Sequence, residues 1–150
     1  MSRKIFVAGV GMIPFRKPGD SLSYYEMGAE AARLALADAG LGYDAAEQAY
    51  VGYVYGDSTA GQKALYRVGM TGTPVFNVNN NCSTGSTALF LARQAIESGA
   101  VDCALAIGFE QMAPGALGTH FNDRPTPFDD FNRETDALVG ISGKAAAEIG

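Results

Sequence analysis

The side chain whose position carries the most chemistry is Cys82. It follows an apolar segment, 74–78, and three asparagines, Asn79, Asn80 and Asn81, and it precedes a long helical pattern that begins near Ser83. A cysteine at a strand-to-helix junction meets the unpaired N–H groups of the helix's first turn, which carry about half a positive charge. That field favours a thiolate. A thiolate is both nucleophile and leaving group, as transfer of an acyl group through a thioester requires. Ser83, Thr84, Gly85 and Ser86 are small and leave space for a substrate to approach. Position alone fits equally a small buried residue in a capping turn, since free cysteine is commonly buried.

The other candidates are weaker. Cys103 is flanked by Ala104 and Leu105 inside an apolar run, and is expected to be a core cysteine whose thiol burial pushes up. His120 lies in an irregular region, where a lone histidine is ordinarily solvated. Gly9-Val10-Gly11 resembles the start of a dinucleotide fingerprint, but Pro14 stands where the third glycine belongs and a polar loop follows. Nicotinamide and flavin binding are therefore not expected. The segment 56–61, with Gly56 and Gly61 at its ends, lacks the GK[ST] ending of a phosphate loop and reads as a turn into a helix that Asp57 and Ser58 cap. The pair Asp129-Asp130 reads as solvated loop. Tyr24, Tyr25, Tyr50 and Tyr53 read as packing residues. Two cysteines with no CxxC, and a single histidine, define no zinc site and no disulfide framework, so no metal is expected.

The elements that must position Cys82 follow from periodicity. Residues 4–12 read as a buried strand bounded by Gly and Pro. Ser23 and Glu26 form a capping-box signature for a helix that Gly40 ends. Strands are predicted at 48–56, 74–78 and 101–109, with a short helix at 62–68 and a long one at 83–98 ended by Gly99. Pro74 suits only the first position of its strand. Alternating strands and helices imply an α/β fold on a mostly parallel sheet of four strands, one face of which is expected to lack its normal cover. The character changes after Met112. Residues 113–139 have little periodicity and read as a long loop or inserted subdomain, and 141–149 as a weak helix. The 19 glycines, in excess of the ordinary ~7%, sit at the ends of apolar segments, as turns in such a sheet require.

Composition bounds the function classes. At 47% hydrophobic and 18% charged, the 150 residues hold enough apolar material for a core. A net charge of −5 with scattered basic residues argues against a nucleic-acid surface. No apolar run approaches the ~20 residues that span a bilayer, and the N-terminal stretch lacks the long apolar region of a signal peptide. A reduced, intracellular compartment such as the cytoplasm is expected.

The run Asn77-Val-Asn-Asn-Asn-Cys82-Ser-Thr-Gly-Ser-Thr-Ala-Leu89 resembles the nucleophile segment of thiolases, and most of all the sterol carrier protein x type of thiolase. The resemblance extends through Val51-Gly-Tyr-Val-Tyr-Gly-Asp-Ser-Thr59, Gly69-Met-Thr-Gly72 and Ala106-Ile-Gly-Phe-Glu-Gln-Met112, and fades after Pro125. It implies a thiolase-like fold. On that reading 1–112 is part of the first half of a duplicated βαβαβαββ unit, and 113–150 begins an inserted loop domain. It implies an acetyl-CoA C-acyltransferase acting on fatty-acyl or sterol side-chain substrates. The cysteine matching Cys82 would take the acyl group from a 3-oxoacyl-CoA, or act in the reverse Claisen condensation. Coenzyme A would be substrate and product, no cofactor would be permanently bound, and the protein would pair as a homodimer or larger oligomer. The family's histidine and second cysteine belong to its second half. Cys103 and His120 match neither. Only Cys82 is carried over as catalytic. Ser83, Thr84 and Gly85 are carried as the helix N-terminus beside it, and Met112 as a candidate pocket residue. The competing implication is a non-catalytic, thiolase-like partner subunit, or a fragment that needs a second half. A ketoacyl synthase relative would share fold and nucleophile, but the matching segments are of the thiolase kind.

Overall fold

Alternation along Gln48–Gly52 sends Ala49 and Val51 to one side and Tyr50 to the other, and this strand, β1, is the centre of the sheet. Val75–Val78 (β2) and Ala104–Gly108 (β3) flank it, both parallel to it, in the order β2-β1-β3. The register sets Val51 beside Asn77 and Ile107, and Gly52 beside Val78 and Gly108. The computed structural model describes residues 3–114, 116, 118 and 120–139, and the chain divides into two compact units, Met1–Pro114 and Gly115–Gly150.

In the first unit, helices cover both faces of the sheet. Helix α1 (Tyr24–Ala39) begins at Ser23, whose N–H and hydroxyl both donate to the Glu26 carboxylate, at 3.3 and 2.5 Å. These hydrogen bonds hold the Glu26 carboxyl below its ordinary pKa. Gly40, left-handed at φ +66°, ends the helix as expected. Helix α2 (Ala60–Leu65) packs against α1 on the face that carries Ala49, Val51, Leu105 and Ile107. Leu65 and Val51 are fully enclosed there, each worth ~1.5–3 kcal/mol relative to exposure. Helix α3 (Thr84–Glu97) lies on the opposite face, where Ala88 and Ala92 pack with Tyr50. Tyr50 stacks on Phe76 of β2, with ring centres 5.1 Å apart, so alternation of small and aromatic residues lets one helix sit close to three strands.

Three expectations are corrected. Residues 4–12 form no strand. Phe6, Val7, Val10 and Met12 are each at least 69% exposed, because the segment lies along α1 and not in the ladder that a strand needs. A Cβ on Gly9 would stand 2.4 Å from the Ala35 carbonyl oxygen, and one on Gly11 2.4 Å from that of Ala31, so only glycine allows the approach. The Val10 N–H donates to Asp38 at 2.9 Å. The sheet therefore has three strands among the described residues. The short helix starts two residues earlier than predicted, because Thr59 is its N-cap while Asp57 offers only its carbonyl oxygen, to Ala60 N–H and Tyr53 hydroxyl.

In the second unit, part of the stretch read as loop is a helix, α4 (Asp129–Val139), and the Asp129-Asp130 pair is its first turn. Carboxylates are stabilising at a helix N-terminus. Here Asp129 accepts the N–H and hydroxyl of Thr126, and Asp130 pairs with Arg133 at 2.8 Å. The helix expected at 141–149 lies outside the described residues.

Candidate functional site

Cys82 is exposed, in the turn that carries the chain from β2 into α3. The three asparagines before it are each committed to that turn. Asn79 accepts the Asn81 N–H on its side-chain oxygen at 3.1 Å, and Asn80 donates its side-chain amide to the Thr87 hydroxyl at 2.9 Å. Asn81 is left-handed, at φ +48°. Asparagine is one of the few non-glycine residues that enters this region readily. The turn closes on Thr84, one of the few buried polar side chains. Its hydroxyl accepts the Asn80 N–H at 2.8 Å and donates to the Asn81 carbonyl at 2.5 Å. Ser83, the N-cap of α3, donates its hydroxyl to the Asn80 carbonyl at 2.8 Å.

The first turn of α3 distributes its N–H groups unevenly. Those of Ser83 and Thr84 are taken by the carbonyls of Asn80 and Asn81, each at 3.1 Å. Among the described residues, the N–H groups of Cys82, Gly85 and Ser86 take no such partner. A Cβ on Gly85 would meet nothing within 4 Å, so the space beside it is open. Donors left free beside open space and an exposed thiol form an anion-receptive corner.

The platform beneath this corner is made of glycine. A Cβ on Gly52 would meet the Thr84 carbonyl oxygen and Cγ2 at 2.7 Å, and one on Gly108 would come within 3.5 Å of the Gly85 Cα. The ends of β1 and β3 thus let α3 settle directly on the sheet. Beyond β3 the chain is pinned by two side chains that sequence reasoning missed. Glu110 accepts the N–H groups of Val54 and Tyr55, one on each carboxylate oxygen, both at 2.9 Å. Gln111 accepts the Tyr24 N–H at 2.8 Å, at the start of α1. Their sequence signal was slight: an acid and an amide immediately after a buried strand.

The remaining candidates are placed as follows. Met112 is half-buried just past these anchors. Cys103 is corrected: it precedes β3 and is half-buried, not in the core. Burial pushes its thiol pKa up, and the negative charge of Glu47 pushes it further the same way. His120 belongs to the second unit, where its Nε2 pairs with the Ala116 carbonyl at 2.8 Å. Tyr24 and Tyr53 both stack on Phe109, and Arg67 lies over the Tyr25 ring. Gly9 and Gly11, the residues that resemble the start of a dinucleotide fingerprint, contact α1, as described. Among the described residues, no helix is long and apolar enough to cross a membrane.

Known proteins resemble this chain in sequence and in fold. The chain is 53% identical over 151 residues to sterol carrier protein 2 of Gallus gallus, covering 99% of this chain and 27% of that protein. It is 34% identical over 133 residues to the benzoylsuccinyl-CoA thiolase subunit BbsB of Thauera aromatica, covering 84% of this chain and 34% of that protein. The chain therefore spans about a third or less of these relatives. Among solved structures, a β-ketoacyl-[acyl carrier protein] synthase III of Thermus thermophilus superposes with a TM-score of 0.55 at 20% identity, over 79% of this chain and 36% of that one. That likeness concerns the fold, an α/β arrangement of thiolase type seen here in part. The family model for the thiolase N-terminal domain matches residues 5–134, and the chain belongs to that family.

Proposed function

We propose that Cys82 is the acyl-accepting nucleophile of a thiolase-type acyltransferase that cleaves 3-oxoacyl-CoA. The observation that carries the reading is the exposed Cys82 thiol in the turn ahead of α3, beside Gly85 and Ser86, whose N–H groups take no backbone partner among the described residues. The sulfur attacks the C3 carbonyl, the C2–C3 bond breaks, and the acyl group is left on Cys82 as a thioester. The thiol proton ends on C2 of the departing acetyl-CoA. The thiol of a second CoA then attacks the acyl–Cys82 thioester, takes the acyl group and returns a proton to the Cys82 sulfur. Preorganised N–H donors suit the oxyanion that forms at each attack, an effect worth ~10²–10³ in rate per donor elsewhere. Met112 is read as a pocket residue, and residues 113–150 as the opening of the family's inserted loop domain. Pairing as a homodimer, and a cytoplasmic or peroxisomal site of action on fatty-acyl or sterol side-chain substrates, belong to the same reading. The relative named as a CoA thiolase subunit supports CoA thioesters as the substrate class.

The test is incubation with acetyl-CoA followed by intact-protein mass spectrometry. A single acetyl adduct that disappears in Cys82→Ala is expected. No adduct, together with Cys82 no more reactive than Cys103 toward iodoacetamide, would overturn the reading in favour of a non-catalytic, thiolase-like subunit.

A further inference from the structure

Asn79, Asn80 and Asn81 do different work. The first two spend their side chains on the turn itself, on the Asn81 N–H and the Thr87 hydroxyl. The Asn81 side chain makes a single hydrogen bond among the described residues, and its partner is the Cys82 sulfur: Oδ1 lies 3.7 Å from Sγ and accepts the thiol hydrogen. The Asn81 backbone is held from both sides. Its N–H donates to Asn79, and its carbonyl accepts the N–H and the hydroxyl of Thr84. A left-handed conformation at φ +48° persists because these neighbours determine it. The turn alone would be served as well or better by glycine, which enters that region without steric cost. The carboxamide is thus what asparagine adds at this position.

We propose that Asn81 is the positioning residue of Cys82: its rigid left-handed backbone presents the cysteine, and its carboxamide oxygen holds the thiol hydrogen and so orients the sulfur. This rests on the acyl-transfer reading above, in which that sulfur must meet a carbonyl carbon along one line. The bond sets where the sulfur sits in the resting thiol, and the thiolate that attacks inherits that position once the proton leaves. Thiols are weak donors, so the bond orients the group without competing with the reaction.

The experiment has two arms. The first is the infrared S–H stretching band of Cys82, isolated by subtracting the spectrum of Cys82→Ala. The native band is expected at lower wavenumber than that of Asn81→Gly, which keeps the backbone conformation and removes the acceptor. Asn81→Asp, which tolerates the left-handed conformation and keeps an acceptor oxygen, is expected to retain the lowered band. The second arm is the rate of acetyl transfer from acetyl-CoA to Cys82. In Asn81→Gly it is expected to fall about tenfold, with the final extent of labelling and the half-saturating acetyl-CoA concentration unchanged. A purely structural defect would lower the extent of labelling and leave the rate constant alone. A band at the same wavenumber in native protein and Asn81→Gly overturns the proposal, as does a shifted band with an unchanged transfer rate. If native protein takes up no acetyl group, the acyl-transfer reading fails, and the band alone decides whether Asn81 holds the thiol.

Discussion

Gly52 lies so close beneath Thr84 that a single methyl group on Gly52 would stand 2.7 Å from both the Thr84 carbonyl oxygen and its Cγ2. One of those atoms is backbone in the first turn of α3, so no side-chain rotation can relieve the contact. Gly52→Ala must lift the start of α3 off β1, with the Cys82 turn attached to it. Overpacking of this kind costs ~1–3 kcal/mol. Urea denaturation of Gly52→Ala should show a midpoint lowered accordingly, and a midpoint equal to the native one would mean that α3 is not seated by this contact.

Thr84 secures the same turn from the other side. Its hydroxyl joins the Asn80 N–H to the Asn81 carbonyl. Thr84→Val keeps the shape and removes that link, leaving the part-buried Asn80 N–H without its partner while the Asn81 carbonyl keeps the Thr84 N–H. An unsatisfied buried group costs about 1–3 kcal/mol. Denaturation should report a loss in that range, and near-native stability would show that water replaces the hydroxyl at no cost.

Much of this arrangement was legible in the sequence because it rests on local signals. The capping residue Ser23 with Glu26, the αL Gly40 and the alternation around Tyr50 and Val51 each act within a few residues; α1 begins and ends where those signals place it, while β1 starts at Gln48 as predicted but ends at Gly52, four residues short of the predicted 48–56. Residues 4–12 misled because apolar content is shared by buried strands and by a segment that lies against a helix, and only the partner distinguishes them. The glycines that looked like the start of a dinucleotide fingerprint, Gly9 and Gly11, are there to admit the backbone of α1. Asp129 and Asp130 look like loop in isolation but suit the first turn of a helix. Cys82 stood out by position. The work of Asn81, Thr84 and Glu110 could not be read, because each acts through a hydrogen bond whose partner is set by the turn or by residues more than fifty positions away.

Glu110 offers the longest of these links. Its two oxygens hold the successive N–H groups of Val54 and Tyr55, fixing the segment that leaves β1 against the segment that leaves β3. Glu110→Gln preserves size but turns one acceptor into an NH₂ donor, which cannot serve a second N–H. Hydrogen bonds to charged groups contribute ~1.5–3 kcal/mol, and half-burial puts this one near the lower end. Amide hydrogen exchange should show Val54 and Tyr55 losing protection in Glu110→Gln while Val51, inside β1, keeps its own. Equal protection of Val54 in both proteins would show that the carboxylate is not what holds the segment.

Cys103 provides an internal contrast to Cys82. Burial is the larger cause of its raised pKa and the Glu47 carboxylate the smaller, and that carboxylate also accepts the Cys103 N–H at 3.1 Å. Alkylation proceeds through the thiolate. A raised pKa means that less thiolate is present at neutral pH, so labelling of Cys103 by iodoacetamide should be slow there and accelerate only at more alkaline pH than for an ordinary thiol. Glu47→Gln keeps an oxygen acceptor for the backbone but removes the negative charge. Its alkylation midpoint should therefore move down, though only part of the way, because burial remains. Peptide-resolved mass spectrometry across a pH series reads Cys103 separately from the exposed Cys82. A midpoint in Glu47→Gln at or above the native one would show that the charge does not act on the thiol, leaving burial as the sole cause.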